Sequence, residues 1–220
     1  MGKTPRGPQA VLFDMDGLLI DSERVWLEVE TEVMDWLGGV WTPEHQEHLV
    51  GGSLHTGVAY MLELTGSAAP PAEVARRILD GMFERLSACV PLMPGAKELL
   101  TALREAGTPA ALVSSSHRRL IEPVLEAIGR EHFVLSVAGD EVTRTKPDPE
   151  PYLTAAARLG ADPARCVVLE DSPNGVAAGE AAGCVTVAVP GLLPIPPGPG
   201  RTVVGSLREV SPEWLSSLVG

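Results

Sequence analysis

From Ala96 onward, short apolar runs alternate with helix-like segments, most of which end at a glycine. The runs are too short for helices and rich in valine, leucine and alanine, as is typical of strands buried on both faces. This close alternation favours right-handed β-α-β units, which build a parallel sheet covered by helices on both sides. The sequence therefore predicts a three-layer α/β fold. The predicted strands are Ala110–Val113, Phe133–Ala138, Cys166–Leu169 and Val185–Val189, with a short edge strand at Val203–Val204.

The earliest predicted strand, Ala10–Phe13, runs directly into two carboxylates. Asp14 and Asp16 are separated by one residue, and Gly17 lets the backbone turn away after them. Two carboxylates this close repel each other unless a cation or a shared proton lies between them. In open parallel sheets, ligands bind beyond the carboxyl ends of the strands, so we expect both acids to face a ligand. An ordinary Asp-Gly turn is the alternative interpretation.

The stretch between the first strand and the later strands has helix signals and no strand signal. We therefore predict an α/β core made of residues 1–20 and 91–220, and an all-helical cap, residues 21–90, inserted after the first strand. A cap beside the strand ends is placed to close over a small ligand and to exclude water. The predicted cap helices are Asp21–Leu37, a short helix from Thr42, Ser53–Leu64 and Ala72–Ala88.

The chain is acidic, with a net charge of -12 and a pI of about 4.8. It has no basic stripe, which argues against nucleic acid or an anionic membrane as a partner. Its three cysteines form no CxxC pair, so we expect buried free thiols in a reducing compartment rather than disulfides or zinc. Met1–Gln9 does not resemble a signal peptide, and no segment is long and apolar enough to cross a bilayer. A soluble cytoplasmic protein is predicted.

Polar side chains also follow three of the later strands. Ser114–Ser116 precede a helix, where hydroxyls and backbone N–H groups bind an anion or simply cap the helix. Lys146 lies in a loop stiffened by prolines, either as a point charge for phosphate or as an ordinary solvated lysine. Glu170 and Asp171 end a buried strand, where adjacent acids suit a hard cation unless they only start the next helix. Because all these groups follow strands, the sequence predicts one shared site.

Four motifs occur in a fixed order along the chain: Asp14-x-Asp16, Ser114, Lys146-Pro147 and Glu170-Asp171-Ser172. Together they resemble the motif set of the haloacid dehalogenase-like (HAD) hydrolase superfamily, and the resemblance extends over essentially the whole chain. The helical insert resembles the type 1 cap of the branch that contains β-phosphoglucomutases and sugar phosphatases. The resemblance implies a Rossmann-like three-layer core with an inserted all-helical cap domain.

The resemblance also implies a role for each motif residue. Asp14 attacks phosphorus and becomes an aspartyl-phosphate, and Asp16 protonates the leaving oxygen and then activates water. Ser114 and Ser115 hold the phosphate, while Lys146 neutralises it and orients the nucleophile. These are the parts that phosphoryl transfer needs, because it depends on alignment and charge neutralisation. The implied cofactor is Mg²⁺, with the ligands Asp14, Asp16 (through its backbone carbonyl), Asp171 and Glu170.

Other activities within the superfamily agree less well with the sequence. Related dehalogenases lack the second acid, here Asp16, because a halide leaving group needs no proton. A phosphonatase needs a cap lysine, and residues 21–90 contain none. Mutases of the β-phosphoglucomutase type have a histidine early in the first cap helix, where this chain has Trp26. Hydrolysis is therefore favoured, with phosphoryl transfer within a sugar phosphate as the alternative and a receiver-like or non-catalytic phosphate-binding module as a distant one.

The implied substrate is a small phosphorylated metabolite, with a sugar or polyol phosphate favoured. Neither nucleic acid nor a membrane is an expected partner, and the predicted oligomeric state is a monomer or a weak dimer. Specificity is expected to depend largely on the cap. The residues assigned to substrate specificity are Trp26, His48, His55 and Arg76 of the cap, and His117 of the core.

Overall fold

A computed structural model describes residues 7–219 of the chain. Within that range the strands are β1 (Ala10–Phe13), β2 (Ala110–Val113), β3 (Leu135–Val137), β4 (Cys166–Glu170), β5 (Val185–Ala188) and β6 (Arg201–Val203). They form one sheet in the order β3-β2-β1-β4-β5-β6, and every neighbouring pair is parallel. β2 and β3 thus extend the sheet on one side of β1, and β4, β5 and β6 extend it on the other. The predicted α/β fold with a parallel sheet is confirmed.

β4 and β5 begin at the predicted residues and each ends one residue from its predicted end, whereas two strands begin elsewhere than predicted. β3 begins at Leu135 rather than Phe133, because the N–H of Phe133 donates to the carbonyl of Arg130 (3.1 Å) and completes a 3-10 turn. The predicted edge strand is present as β6, although it begins at Arg201 and pairs in parallel with β5.

The α-helices within the described residues are α1 (Glu23–Leu37), α2 (Pro43–Leu49), α3 (Leu54–Thr65), α4 (Pro71–Ala88), α5 (Ala96–Glu105), α6 (Arg118–Ile128), α7 (Glu150–Leu159), α8 (Pro173–Ala181) and α9 (Pro212–Leu218). The first four begin within two residues of the predicted cap helices. α1 begins at Glu23 rather than Asp21, with Ser22 at its N-cap position. The side chain of Ser22 does not cap the helix, because its hydroxyl donates to Asp16 instead.

The sheet is covered on both faces. Ala10 and Leu12 of β1 point toward the face packed by α7 and α8, and Val11 and Phe13 point toward the face packed by α5, α6 and α9. This alternation follows from the two-residue period of a strand, and all four side chains are fully buried. The Rossmann-like, three-layer core is therefore confirmed.

The four helices after β1 form the all-helical insert. α1, α3 and α4 pack against one another, and α4 also packs against α6. The chain enters and leaves this insert through two segments that lie side by side. The N–H of Met93 donates to the carbonyl of Leu19 (2.9 Å), and that of Asp21 donates to the carbonyl of Pro91 (2.8 Å). The inserted helical cap is confirmed, and domain boundaries at residues 20 and 91 stay a prediction.

No helix within residues 7–219 combines the length and the apolar character needed to cross a bilayer. Cys166 and Cys184 are buried free thiols, as expected, whereas Cys89 is exposed at the end of α4. Residues 1–6, which belong to the segment that does not resemble a signal peptide, lie outside the described range.

Candidate active site

The carboxyl ends of β1, β2 and β4 meet where the strand order reverses around β1. The crevice at such a point is the usual ligand site of a doubly wound sheet. Asp14 and Asp16 follow β1, Ser114 follows β2, and Glu170 ends β4. Lys146 reaches the same place from the segment between β3 and α7. The topology of the sheet therefore brings the predicted motif residues together.

Lys146 is the centre of a buried ion cluster. Its ammonium donates to Asp14 Oδ1, to Glu170 Oε1 (2.6 Å) and to the carbonyl of Val113 (2.8 Å). The hydroxyl of Tyr152 also donates to Glu170 Oε1. Only 1% of the Lys146 side chain is exposed, so the interpretation as a solvated lysine is wrong. The cluster fixes one positive charge beside the Asp14 carboxylate.

The acids of this cluster exceed its single cation. Burial raises the pKa of Asp14 to about 8 against the opposing charge of Lys146, and Glu170 and Asp16 add to the rise. Burial lowers the pKa of Lys146, but Asp14 and Glu170 outweigh burial and hold that pKa above its ordinary value. Burial, with Asp14 and Glu170, raises the pKa of Asp171 well above its usual range. A second positive charge would stabilise these carboxylates.

Three of the acids fit a metal ion by position. Asp14, Glu170 and Asp171 each offer a carboxylate oxygen, and these oxygens lie within 4.8 Å of one another. Asp171 Oδ1 is buried and has no hydrogen-bond partner among residues 7–219. Glu170 differs, because Lys146 and Tyr152 donate to its Oε1. The backbone N–H of Asp171 donates to its Oε2 (3.2 Å). Asp14 and Asp171 therefore suit Mg²⁺ better than Glu170 does.

Gly17 lets the segments after β1 and β4 approach each other. Its φ of +78° lies in the left-handed region that favours glycine. A Cβ at this position would collide with Asp171 Oδ2. The turn after Asp16 thus needs glycine to bring Asp171 against the first motif.

Asp16 is held from both sides of the site. Its Oδ1 accepts hydrogen bonds from the Ser22 hydroxyl (2.8 Å) and the Trp26 indole N–H (3.1 Å), both at the start of α1. Its Oδ2 accepts from the hydroxyls of Ser116 (2.8 Å) and Ser114 (3.4 Å), which follow β2. Serine hydroxyls turn to donate or to accept, so they can hold this carboxyl in either protonation state.

The serines after β2 do not cap α6. The N-cap of α6 is His117, whose ring nitrogen accepts from the backbone N–H of Arg119 (3.2 Å). The other ring nitrogen of His117 lies 3.0 Å from Asp140 Oδ2. Ser115 Oγ is buried and has no hydrogen-bond partner in the described part of the chain, which suits a ligand oxygen. This segment therefore offers one free hydroxyl group, that of Ser115, at the start of a helix.

A cavity separates these core residues from the helical insert. Its empty volume is about 900 Å³, including the part open to solvent. α1 contributes Glu23, Trp26 and Glu30 to its lining, and α2 contributes Gln46. The amide of Gln46 donates to Glu23 Oε2 (3.0 Å), and the indole of Trp41 donates to Glu30 Oε2 (3.0 Å). The apolar lining residues are Leu49, Val50, Leu54, Met61, Ile78, Leu79 and Leu120.

The residues assigned to specificity divide into two groups. Trp26 and His117 line the cavity. His48, His55 and Arg76 are exposed and lie outside its lining. The ring of His48 packs on a tyrosine (4.8 Å between centroids), and Arg76 pairs with an aspartate of its own helix (2.8 Å). The structure gives these last three residues no contact with the site.

The convergence of the motifs at one sheet edge agrees with comparison to known families. A profile of haloacid dehalogenase-like hydrolases matches residues 8–183, which is most of the chain. The chain belongs to this family. The matched range of this HAD-like hydrolase includes every motif residue from Asp14 to Asp171.

HAD-like relatives resemble the chain over most of its length. Hexitol phosphatase B of Escherichia coli (strain K12) is 35% identical over 193 residues, which cover 85% of this chain and 86% of that protein. A probable pseudouridine-5'-phosphatase of Drosophila melanogaster is 34% identical over 212 residues, which cover 92% and 91%. The crystal structure of CbbY from Rhodobacter sphaeroides in complex with phosphate has a TM-score of 0.83 and 28% identity, covering 92% of this chain and 96% of that one. The family and these relatives identify a HAD-like phosphoric monoester hydrolase.

Several residues of this HAD-like site have little signal in the sequence. Ser22 and Ser116 both donate to the second acid of the first motif, although each was expected only near a helix start. Tyr152 reaches the glutamate of β4 only because α7 packs across the sheet. The sequence gives one indication that Glu30 lies near the site: it follows Trp26 by four residues and is therefore on the same face of α1.

Proposed function

We propose that this chain is a Mg²⁺-dependent phosphatase that hydrolyses a small phosphorylated metabolite through an aspartyl-phosphate on Asp14. The proposal depends on one observation above all. A carboxylate, a second carboxyl group and a buried ammonium converge at one sheet edge, as Asp14, Asp16 and Lys146. Phosphoryl transfer needs an aligned nucleophile and neutralisation of charge around the transferring group.

In the first step, a carboxylate oxygen of Asp14 bonds to phosphorus while the ester P–O bond breaks. Lys146 keeps this carboxylate oriented and favours its ionised form. Ser114 and Ser115 hold phosphate oxygens, and Ser115 Oγ has no partner within the described protein. The leaving oxygen receives a proton from Asp16.

In the second step, Asp16 takes a proton from water. The oxygen of that water attacks the phosphorus of the aspartyl-phosphate, which restores Asp14 and releases inorganic phosphate. Ser22 and Ser116 contact Asp16 throughout, and Trp26 donates to it from α1. These contacts keep one carboxyl group in place for both proton transfers.

We assign the metal ion to Asp14, Asp171 and the backbone carbonyl of Asp16. The buried, unpartnered oxygen of Asp171 supports this assignment. When bound, Mg²⁺ supplies positive charge that neutralises the phosphate and the surrounding acids. Glu170 positions Lys146 in this assignment, because donors already engage both of its oxygens.

We further propose that residues 21–90 cap the core formed by residues 1–20 and 91–220, and that the substrate is a sugar or polyol phosphate. Similarity to hexitol phosphatase B supports this substrate class. Glu23, Glu30 and Gln46 add polar groups that suit hydroxyls. A cytoplasmic location and a monomer or weak dimer stay predictions.

The test is phosphate release from p-nitrophenyl phosphate and from a panel of sugar, polyol and nucleoside monophosphates, with Mg²⁺ or with EDTA. We expect Mg²⁺-dependent release that is fastest with a sugar or polyol phosphate. Absence of such release from every ester would overturn the proposal. Conversion of β-glucose 1-phosphate into glucose 6-phosphate would instead favour the mutase, which the sequence disfavours because α1 contains no histidine and has Trp26 where mutases of this type have one.

A further inference from the structure

We infer that Glu23 and Glu30 form an acid pair on the cap side of the cavity, which accepts a neutral, hydroxyl-bearing substrate and rejects one with a second anionic group. The inference rests on the proposed phosphatase function, because it concerns the part of the substrate remote from the cleaved phosphate. Neither acid belongs to the four motifs of the catalytic site.

The acid pair lies along the face of α1 that lines the cavity. Spacings of three and then four residues place Glu23, Trp26 and Glu30 on one helix face. Two helical turns separate the acids by about 10 Å along the axis. Trp26 also contacts Asp16 (3.1 Å), so this face extends from the catalytic acids into the cap. A substrate with its phosphate at Asp14 therefore places its remaining atoms along the acid pair.

Each acid has one oxygen engaged by the protein and one oxygen left for a ligand. Gln46 donates to Glu23 Oε2 (3.0 Å), and Trp41 donates to Glu30 Oε2 (3.0 Å). Within residues 7–219, no hydrogen bond reaches the Oε1 of either acid. Hydroxyl groups are suitable partners for these oxygens, because they donate to a carboxylate and accept from a protonated carboxyl.

No unpaired cation faces the acid pair in the described part of the chain. On the core side, Lys146 is engaged by Asp14, and His117 faces Asp140. Where these acids are ionised, a second phosphate or a carboxylate beside them would meet negative charge without a counter-charge. Where the acids keep their protons, the added anion would still be buried without a cation. The arginines of residues 21–90 lie outside the cavity lining and pair elsewhere, as Arg24–Glu28, Arg76–Asp80, Arg77–Glu73 and Arg85–Glu32.

The surroundings of the acid pair raise the pKa values of both acids. Burial raises the pKa of Glu30 to about 8 despite the hydrogen bond from Trp41, and Glu23 adds to the rise. Burial also raises the pKa of Glu23 to about 7, with further contributions from Asp16 and Asp21. Surroundings that disfavour negative charge on these side chains disfavour it on a ligand at the same place, for the same reason.

The experiment compares glucitol 6-phosphate with 6-phosphogluconate, which share one carbon skeleton and differ only in a terminal hydroxymethyl or carboxylate group. We expect the wild-type kcat/KM at pH 8 with Mg²⁺ to favour glucitol 6-phosphate by about tenfold or more. The double variant Glu23→Gln/Glu30→Gln should bring this ratio toward one. The double variant Glu47→Gln/Glu63→Gln removes two exposed acids, one of α2 and one of α3, and should keep the wild-type ratio, which controls for the change in net charge.

Three outcomes would overturn the inference. A wild-type kcat/KM ratio near one overturns it without any variant, so the inference can be tested even if a variant fails to fold. A high wild-type ratio that the double variant retains also overturns the inference, because the acid pair then does not cause the preference. Hydrolysis of p-nitrophenyl phosphate without hydrolysis of glucitol 6-phosphate also contradicts it. Absence of Mg²⁺-dependent hydrolysis of every ester, p-nitrophenyl phosphate included, instead overturns the proposed function.

Discussion

The two sides of the cavity differ in how charge is balanced. On the core side, the buried carboxylates of Asp14 and Glu170 share one ammonium, that of Lys146. On the cap side, Glu23 and Glu30 have amide and indole donors but no cation among the described residues. The core side therefore suits a charged phosphate, whereas the cap side suits neutral polar groups.

The two sides also differ in what positions their residues. Core residues follow strands whose register is set by parallel neighbours on both sides of β1. Cap residues project from α1, whose orientation depends on its packing against α3 and α4. We therefore expect reaction and selectivity to be separable in this molecule. Changes on the core side should lower turnover of every ester, and changes on the cap side should alter preference among esters.

Asp14→Asn tests the core side most severely. An amide is a poor nucleophile toward phosphorus, so we expect kcat to fall by about 10⁴-fold or more for every ester. Phosphate release at saturating substrate measures the effect. Asp35→Asn, an exposed position on α1, is the matched control and should turn over at the wild-type rate. Comparable losses in both variants would show that the effect is not specific to the nucleophile.

Asp16→Asn separates the two chemical steps. p-Nitrophenolate leaves without a proton, so Asp14 still becomes phosphorylated, whereas the water of the second step lacks its base. We expect a burst of p-nitrophenol followed by turnover slower by about 10³-fold. Mass spectrometry should detect protein that has gained one phosphoryl group. Wild-type turnover in this variant would refute the acid–base assignment.

Lys146→Met tests the charge balance of the core side. It leaves Asp14 and Glu170 buried without a cation, so we expect a loss of about 3 kcal/mol in the free energy of unfolding. The kcat should fall by about a hundredfold, because the transferring phosphoryl group loses a fixed charge. Urea unfolding and phosphate release measure the two effects. The control, Lys97→Met, removes an exposed lysine of α5 and should change neither quantity.

Much of the core side could be predicted because most of its motif residues follow a strand signal. Asp14, Ser114 and Glu170 come directly after apolar runs, and parallel topology places the ends of such strands together. Tyr152 could not be found in this way, because no local pattern specifies which side chain of α7 reaches across the sheet. The bounds of most elements were predictable for a simpler reason, since glycine and proline mark their ends.

The cap side was less predictable. His48 and His55 were favoured by residue type, yet both are exposed, whereas Glu30 lines the cavity. The periodicity of α1 correctly indicates that Val29 and Val33 are buried. Periodicity does not indicate that a charged residue on the same helix is buried too, because its burial depends on the neighbouring helices. Contacts between helices that are distant in sequence therefore decide this half of the site.

Glu30→Gln tests the energetic cost of the cap-side acids. The pKa of Glu30 is raised from 4.5 to about 8, so the folded protein keeps a proton that the unfolded chain releases. Folding is therefore linked to proton uptake between these values, and wild-type stability should fall as pH rises through this window. Gln does not titrate, so the variant should gain up to about 4 kcal/mol relative to wild type between pH 5 and pH 8.

Urea unfolding of both proteins at several pH values measures this linkage. The core carboxyls are common to both proteins, so the difference between them isolates Glu30. Glu63→Gln should show no such trend, because Glu63 is exposed. A difference between Glu30→Gln and wild type that does not change with pH would contradict the linkage.

Trp26→Phe tests the one indole that joins the two sides. Its N–H donates to Asp16 Oδ1 (3.1 Å), and phenylalanine keeps an aromatic ring but lacks this donor. Loss of one such hydrogen bond is worth about 1 kcal/mol, so we expect kcat to fall by three- to tenfold, the smallest effect considered. KM should stay close to its wild-type value, because the ring still lines the cavity. A raised KM with unchanged kcat would instead indicate that Trp26 contacts the substrate. The control is Trp36→Phe, at a half-exposed ring on the same helix, which should change neither kcat nor KM.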